Sequence, residues 1–438
     1  MIRQLHINNY KSLSDLTLDV ERFNVLIGEN GCGKSNVLEA IALAAAAVAN
    51  KLDNEFLASR GIRVTEPQLM RAAFSKEHLD KPIAIQIDYK NFDETIEYSV
   101  FNDNKPYSEW STLIPNLNLK PQEAIQLNRE LSDSEQMAAT ILFKILRESL
   151  LRESGNSISD NDTRVAAKIF SYYGSGTIAA IQKIINAPII QHGENNHGNG
   201  STIEEVTEYF NSVSKNEDQL QDFLIYSPEN SALRNFSKEG QIEPLGINGE
   251  GLLKLLIVIQ DKSPEQFEEI HTCLQLFDWY DGIDIPKDFS HYYEDKVTIT
   301  DRFLSTTFDQ RSANEGFLFV LFYIALMVSD DTPKIFAIDN IDVALNPKLC
   351  TKLIKELVRL AKKYDKQVFV TTHNPAILDG IDLGDDEQRL LVLSRNKQGH
   401  TRFKRITLQD KPRSSTHEEL KLSEAFLRGY LGGLPKGF

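Results

Sequence analysis

A glycine-rich stretch near the start of the chain has the residue types and spacing of a phosphate-binding loop. The pattern G-x-x-x-x-G-K-[ST] is matched by Gly28-Glu29-Asn30-Gly31-Cys32-Gly33-Lys34-Ser35, and Asn36 follows directly. The glycines let successive backbone N–H groups face one anion, and the positive end of the next helix strengthens the attraction. Lys34 is expected to reach the β- and γ-phosphates of a nucleotide, and the Ser35 hydroxyl to ligate Mg²⁺. The predicted nucleotide contacts are residue 28 and residues 30–36.

An acidic residue at the end of a distant apolar stretch is the expected partner of this loop. Residues 334–339 predict a buried strand that ends in Asp339. A phosphate-binding loop needs such an acid on a neighbouring strand, where it holds the water shell of the metal. Asp339 and Ser35 are therefore the predicted Mg²⁺ ligands. Because most of the chain separates Asp339 from Lys34, we expect an insertion between two halves of one nucleotide site.

A histidine follows the next predicted strand, in a position to sense the γ-phosphate. Leu345-Asn346-Pro347 predicts the start of a helix over Pro347–Lys363, and a strand over 367–371 comes next. Thr372-His373-Asn374 lies at the carboxyl end of that strand, and parallel pairing places it at the same edge as the loop. A lone histidine is more often structural. Its place in this ordered series makes His373 a candidate catalytic residue.

The elements that position these residues follow from hydrophobic periodicity. Apolar runs typical of buried strands cover residues 23–27, 334–339, 367–371 and 390–393. Alternation typical of antiparallel strands covers residues 4–8, 16–20, 83–88 and 94–101, the last two around a turn at 90–94. Helical periodicity covers residues 35–49. The predicted fold class is α/β, with a mixed, parallel core sheet and an added antiparallel β layer.

The middle of the chain differs in character from its two ends. Helical periodicity covers residues 121–151, 163–185 and 202–224, and a linker rich in glycine and asparagine covers 192–201. Acidic residues outnumber basic ones in this part. We predict a helical insertion over 119–222, between an N-terminal half at 1–118 and a C-terminal half at 223–438.

The composition excludes several classes of protein. The 438 residues include 48 Lys or Arg and 63 Asp or Glu, and the formal charge of −15 argues against a general polyanion binder. The three cysteines lie far apart and form neither a pair of metal ligands nor a disulfide framework. The longest apolar runs, 41–49 and 317–328, are shorter than the ~20 residues of a membrane span, and no basic-then-apolar leader opens the chain. We expect a cytoplasmic protein with no membrane partner.

Taken together, the motifs resemble the ABC-type ATPase heads of the SMC, RecF and OLD group. Besides the features above, Asn9-Tyr10-Lys11-Ser12-Leu13 is similar to the N-[FY]-[KR]-S start of these heads. The segments Leu422-Ser423-Glu424 and Leu431-Gly432-Gly433-Leu434-Pro435 are similar to the tail of stand-alone AAA family ATPases of bacterial anti-phage systems. The resemblance covers residues 1–118 and 223–438. It implies a P-loop NTPase with an ABC-type head, interrupted by the insertion, and ATP and Mg²⁺ as cofactors.

In such heads two copies enclose two ATP molecules, and each phosphate-binding loop faces a signature segment of the other copy. The resemblance places this segment at the start of the long apolar helix, so the expected contacts in trans are Ser312, Asn314, Glu315 and Gly316. Asn314 stands where the relatives usually have serine, and its amide can still donate to a γ-phosphate. The alternative is an ordinary helix start, with Ser312 or Asn314 as the cap and Glu315 as a first-turn acid.

The residue after Asp339 is a larger departure from the resemblance. The relatives have a glutamate there, which polarises the attacking water, whereas this chain has Asn340. An amide cannot accept a proton as a carboxylate does, and general-base catalysis contributes about 10²–10⁴-fold in rate. We therefore expect an ATPase with tight binding and slow or absent turnover. Asp342 and His373 are the other candidates for the base.

Basic residues cluster near the C-terminus, in a reversal of the overall charge. Between 395 and 413 there is one acid, Asp410, and the basic residues are Arg395, Lys397, Arg402, Lys404, Arg405, Lys411 and Arg413. One interpretation is a surface for nucleic acid or an acidic partner, with Phe403 interleaved. The other is a solvated hairpin, with Arg402 and Lys404 on one face of a strand and Phe403 on the opposite face.

Three functions are compatible with these features. The preferred hypothesis is an ATP-driven homo-oligomer, at least a dimer, that controls a separately encoded nuclease or toxin in anti-phage defence. The second is a DNA-repair ATPase resembling RecF, against which the acidic insertion argues, because a DNA-loading head needs a basic face. The third is a scaffold that keeps ATP bound, which Asn340 favours.

Overall fold

The computed structural model describes residues 1–113, 215–216, 219–234, 244–285, 297–412 and 420–433. The chain divides into two units, one with Met1–Asp19 and Glu39–Asp222 and the other with Val20–Leu38 and Phe223–Phe438. The predicted helices over 121–151 and 163–185, the linker over 192–201 and most of the helix over 202–224 lie outside the described residues. The predicted boundaries of the insertion remain a prediction.

The strands are numbered in chain order. They are β1 (Ile2–Tyr10), β2 (Leu13–Asp19), β3 (Phe23–Gly28), β4 (Ile83–Tyr89), β5 (Phe92–Phe101), β6 (Ser111–Leu113), β7 (Ile225–Tyr226), β8 (Tyr280–Asp284), β9 (Thr298–Asp301), β10 (Phe308–Asp309), β11 (Ile335–Ile338), β12 (Gln367–Thr372), β13 (Gln388–Arg395) and β14 (Thr401–Ile406).

The helices of the described residues are numbered in the same way. They are α1 (Lys34–Val48), α2 (Asn54–Ser59), α3 (Pro67–Met70), α4 (Asn230–Arg234), α5 (Leu252–Lys262), α6 (Pro264–Leu274), α7 (Glu315–Val328), α8 (Pro347–Lys363) and α9 (Leu422–Leu427). Short 3₁₀ helices cover Lys76–His78, Pro375–Gly380 and Leu408–Asp410. None of the described helices has both the length and the hydrophobicity needed to cross a bilayer.

The first unit contains a five-stranded antiparallel sheet with the order β2-β1-β4-β5-β6. Its strands alternate buried and more exposed residues, as β4 shows along its whole length, because one face packs inward and the other meets water. The predicted hairpin is present, but its turn is tighter than 90–94. Tyr89 pairs with Phe92, so only residues 90 and 91 connect β4 to β5.

The second unit contains a six-stranded sheet with the order β14-β13-β3-β12-β11-β7. Neighbouring strands from β7 to β13 pair in parallel, and only β14 is antiparallel. All residues of β3, β11 and β12 are buried, as expected for central strands of a parallel sheet. Strand β11, helix α8 and strand β12 form the predicted βαβ unit. The carboxyl ends of β3, β11 and β12 therefore lie at one edge of this sheet.

Helices α7 and α8 differ in the distribution of their apolar residues, and this decides where each helix packs. From Gly316 onward every residue of α7 is buried, so this helix lies inside the core of the second unit. Helix α8 is amphipathic; its apolar residues are buried, and Lys362 and Lys363 lie in its last turn, where they favour the negative helix end. Asn346 caps α8 by accepting a hydrogen bond from the Leu349 N–H at 3.0 Å, and Pro347 is the first helical residue.

Candidate functional site

The phosphate-binding loop (residues 28–35) connects β3 to α1, as the sequence predicts. The strand ends at Gly28 and the helix begins at Lys34, so the loop is a tight turn. Gly31 and Gly33 have φ angles of 74° and 105°, in the region that favours glycine. Asn30 and Gly31 are exposed, whereas Cys32 is fully buried and burial raises the pKa of its thiol. Cys32 is therefore held as a thiol within the turn.

The side chain of Lys34 folds back over the loop. It is only 6% exposed, and its Nζ donates to the carbonyl oxygens of Gly28 at 2.9 Å and Glu29 at 3.1 Å. Burial lowers the pKa of this ammonium, while nearby acids, Asp339 among them, oppose the shift. Its hydrogen-bond acceptors are neutral carbonyl oxygens, with the Cys32 sulfur at 3.9 Å. A buried cation of this kind is suited to bind a polyanionic phosphate chain.

Ser35 and Asp339 lie in contact at the carboxyl edge of the sheet. The Ser35 hydroxyl is 3.1 and 3.2 Å from the two carboxylate oxygens of Asp339, which directly follows β11. The Thr371 hydroxyl donates to the same carboxylate. Hydroxyl and carboxylate oxygens are the hard ligands that Mg²⁺ prefers. The donor set therefore fits a nucleotide-bound magnesium ion, which would supply charge neutralisation for the phosphates.

His373 lies next to Lys34, at the end of β12. Its Nδ1 is 3.5 Å from the Nζ of Lys34. Burial, and to a lesser extent the charge of Lys34, lower the pKa of His373 and favour the neutral imidazole. The Asp342 carboxylate accepts hydrogen bonds from the Thr372 hydroxyl at 2.7 Å and from the His373 N–H at 3.3 Å. Asp342 therefore fixes the turn that presents His373.

Asn340 occupies a special backbone conformation directly after Asp339. Its φ is +54°, in the left-handed region that asparagine tolerates better than most residues. Its backbone N–H donates to the Thr371 hydroxyl at 2.9 Å, and the Ile341 N–H donates to the Thr371 carbonyl at 3.1 Å. The turn after β11 is thus bonded to the end of β12. This arrangement aligns Asp339 with the loop.

The predicted signature segment is a capped helix start. Asn314 caps α7, and its side chain accepts from the Phe317 N–H at 2.8 Å. Ser312 and Asn314 are exposed, but Gly316 is buried, and a Cβ added there would lie 3.0 Å from the Ala344 carbonyl oxygen. In the described part of the chain, none of Ser312, Asn314, Glu315 and Gly316 is hydrogen-bonded to residues 28–35. Asn314 is thus the helix cap, as the alternative predicts, and the contact in trans stays a prediction.

Two residues around the loop were not among the predicted ones. The Thr371 hydroxyl donates to the Asp339 carboxylate and accepts from the Asn340 N–H. The Thr401 hydroxyl donates to the Cys32 carbonyl at 2.8 Å. A hydroxyl residue near the carboxyl end of an otherwise apolar strand was the available signal for Thr371. Thr401 lies far from the loop in sequence, so only the strand order brings it there.

Comparison with known proteins places the chain in a family. The model described as "AAA domain, putative AbiEii toxin, Type IV TA system" matches residues 23–379, which is more than half of the chain. The chain belongs to this AAA family. The match includes residues 28–35, Asp339 and His373, and the family implies nucleotide binding with a metal, generally Mg²⁺. Comparison with curated proteins gives no match.

Solved structures of SMC heads have a similar fold. An SMC head bound to the C-winged helix domain of ScpA has 12% identity and a TM-score of 0.50, over 93% of this chain and 98% of that chain. An SMC head with an extended coiled coil, bound to the C-terminal domain of ScpA from Pyrococcus furiosus, has 12% identity and a TM-score of 0.44, over 93% and 96%. The SMC head of Thermotoga maritima has 10% identity and a TM-score of 0.42, over 93% of this chain and 99% of that chain. The first supports the fold; the lower scores add no argument.

Two predictions made from the sequence are thereby confirmed. The chain belongs to an AAA family of the kind that the motifs predicted, and its α/β fold is similar to that of an SMC head. The roles of the individual residues in binding and catalysis remain predictions.

Proposed function

We propose that this AAA protein is an ATP-binding head that assembles with ATP between its subunits and controls a separately encoded effector in anti-phage defence. The description of its family names a toxin and a toxin–antitoxin system, which supports a role in control of a toxic partner. The similar SMC head with a TM-score of 0.50 is bound to the C-winged helix domain of ScpA, which supports a head that acts through another protein. Oligomer, effector and defence role are parts of the proposal.

The position of Lys34 is the observation that supports ATP binding best. Its ammonium is buried inside a loop of backbone groups, next to His373 and close to the oxygen ligands of Ser35 and Asp339. In the proposal Lys34 binds the β- and γ-phosphates, and Ser35 and Asp339 hold the Mg²⁺. The remaining contacts come from Gly28 and from residues 30–33 and 36. His373, in its neutral form, faces the γ-phosphate.

The effector hypothesis and the DNA-repair alternative differ in the partners they require. Co-purification of the chain with products of its neighbouring genes distinguishes them. A co-purifying nuclease or toxin supports the effector hypothesis, whereas replication or repair proteins support the RecF-like alternative. The third hypothesis, an ATP-bound scaffold, is favoured by the presence of Asn340 after Asp339 and depends on the turnover rate.

Assembly with ATP is the next testable consequence. In the proposal the start of α7 contacts the ATP of another copy, because the free N–H groups of a helix start and the Asn314 amide attract phosphate. Gly316 is a poor test position, since a side chain there would press on the Ala344 carbonyl of the same copy. Ser312 is exposed, so Ser312→Arg should block assembly without disturbing ATP binding within one copy.

We expect ATP with Mg²⁺ to shift the wild-type chain to a larger species in sedimentation velocity. Ser312→Arg should weaken the affinity of this self-association at least about 10-fold, or ~1.4 kcal/mol. Thr272→Arg is the matched control, because it introduces the same charge at an exposed position on α6. Identical profiles with and without ATP would contradict assembly in this form. Equal effects of both variants would show that added charge, and not the α7 start, is responsible.

A further inference from the structure

The hairpin formed by β13 and β14 is a basic surface on a chain whose formal charge is −15. Its exposed cations are Arg395, Lys397, Arg402, Lys404 and Arg405. Strand β14 ends the described sheet, so Arg402, Lys404 and Arg405 lie on an edge strand, with Arg395 at the end of β13 and Lys397 in the turn. Lys404 pairs with Asp410 at 2.7 Å, and Asp410 is the only acid near this row of cations in sequence. Arg402 and Lys404 lie on one face of β14 and Arg405 on the other, so the edge carries exposed positive charge on both of its faces.

The turn of this hairpin is fixed by its own hydrogen bonds. The Asn396 N–H donates to the His400 carbonyl at 2.9 Å, and the Gly399 N–H donates to the Asn396 carbonyl at 3.0 Å. The Asn396 side chain also accepts from the backbone N–H groups of Gln398 and His400 at 2.9 and 3.0 Å. A surface held in this way presents its charges without much further ordering on binding.

The same hairpin touches the phosphate-binding loop from behind. The Thr401 hydroxyl, which is buried, donates to the Cys32 carbonyl at 2.8 Å. Leu393 pairs with Gly28, and its carbonyl lies so close that a Cβ on Gly28 would be 2.2 Å away. Strands β13 and β14 therefore contact the turn that holds Lys34 at two points, Gly28 and Cys32.

We propose that this basic hairpin binds the phosphate backbone of nucleic acid, and that this binding is linked to nucleotide binding at the phosphate-binding loop through Thr401 and Leu393. Nucleic-acid interfaces are much more positively charged than protein interfaces, whose centres are depleted in charged residues. Arginine is well suited to bind phosphate, and three of the five exposed cations are arginines. Arg402 and Lys404 are two residues apart on β14, about 6.6–6.8 Å along its axis, so both can contact one ligand from the same face of the strand.

The first test measures binding of a labelled single strand of about 20 thymidines, and of a duplex of similar length, by fluorescence anisotropy between about 50 and 200 mM salt. The variant Arg395→Gln/Arg402→Gln/Arg405→Gln should weaken binding at least about 10-fold at low salt. Loss of three phosphate contacts should also reduce the salt slope for the single strand by about 2. The outcome of this first test does not depend on whether residues 28–35 bind a nucleotide.

The matched control removes three charges from α8, where Lys348 and Lys355 are exposed and Lys352 is half-buried. Lys348→Gln/Lys352→Gln/Lys355→Gln on α8 should change the affinity less than about 2-fold. An equal loss in both variants would overturn the proposal, because net charge alone would then explain binding. A polyglutamate peptide that binds as tightly as the single strand would also overturn it. So would wild-type affinity in the hairpin variant; the cations would then only protect an edge strand from pairing.

The second test measures the linkage, and it depends on the proposed nucleotide site. Saturating ATP with Mg²⁺ should change the oligonucleotide affinity at least about 5-fold, and the oligonucleotide should change ATP affinity by the same factor. Thr401→Val should reduce both factors below about 2-fold, whereas Thr401→Ser, which keeps the hydroxyl, should retain them. Equal oligonucleotide affinity with and without ATP would refute the linkage. If the wild-type chain does not bind ATP at all, that result would instead refute the proposed function.

Discussion

Lys34→Ala is expected to lower the affinity for ATP by at least about 100-fold, or ~2.7 kcal/mol. The ammonium is the buried cation of the phosphate-binding loop, and it donates to the carbonyl oxygens of Gly28 and Glu29 and not to a carboxylate. Removal of one partner from a buried, charge-assisted contact commonly costs about 2–5 kcal/mol. Isothermal titration of ATP with Mg²⁺ against both chains measures the loss.

The fold should survive this change. Lys34 is the first residue of α1, where alanine is well tolerated, and the Gly28 and Glu29 carbonyls lie in a loop that is partly exposed. Thermal melting of the variant should therefore stay close to that of the wild type. Lys348→Ala, an exposed lysine on α8, is the control and should bind ATP normally. Unchanged ATP affinity in Lys34→Ala would show that residues 28–35 do not form the site.

Much of this site could be predicted because its parts are local in sequence. The phosphate-binding loop needs one contiguous motif between a strand and a helix, and β3 and α1 lie within a residue of the predicted bounds. Asp339 and His373 end apolar strands, so strand periodicity and parallel pairing bring them to the edge where Lys34 lies. Helix α8 was predicted at its observed bounds, since Asn346 and Pro347 define its start.

The remaining features depend on contacts between distant parts of the chain. The left-handed backbone of Asn340 occurs together with a hydrogen bond from its N–H to the Thr371 hydroxyl, a contact between two strand ends that periodicity does not reveal. The burial of Gly316 against Ala344 depends on how α7 packs on the turn after β11. The contact of Thr401 with Cys32 requires that β13 pair with β3, a choice that strand patterns alone leave open.

Asn340→Glu is expected to raise the kcat for ATP hydrolysis at least about 10-fold. In the wild type the residue after Asp339 offers only an amide, which cannot accept a proton from the attacking water. A carboxylate at this position supplies a general base, and such catalysis contributes about 10²–10⁴-fold. The affinity for ATP should change little, because the side chain would act on water and not on the phosphates. Steady-state phosphate release measures kcat, and isothermal titration measures affinity.

The backbone at Asn340 makes a neutral control necessary. Its φ of +54° suits asparagine, and a glutamate held there is strained by about 1–3 kcal/mol. Asn340→Gln has the same length and the same strain but no carboxylate, so it should lose similar stability in thermal melts without a gain in kcat. A rate increase that appears equally in both variants would be due to the altered turn. A gain confined to the glutamate variant identifies the missing base.

A wild-type rate of a typical ~1–10 s⁻¹ would show that another residue already acts as the base. Asp342 is a weak candidate, because its carboxylate accepts hydrogen bonds from Thr372 and from the His373 N–H. His373 is the stronger one, since burial and Lys34 keep it neutral and able to accept a proton. Asp342→Asn keeps an oxygen acceptor for those two bonds and should retain the rate, whereas His373→Ala should remove it. If the wild-type rate is slow and Asn340→Glu does not raise it, the strand end is not arranged for hydrolysis. Bound ATP then acts as a structural ligand, and the scaffold becomes the better proposal.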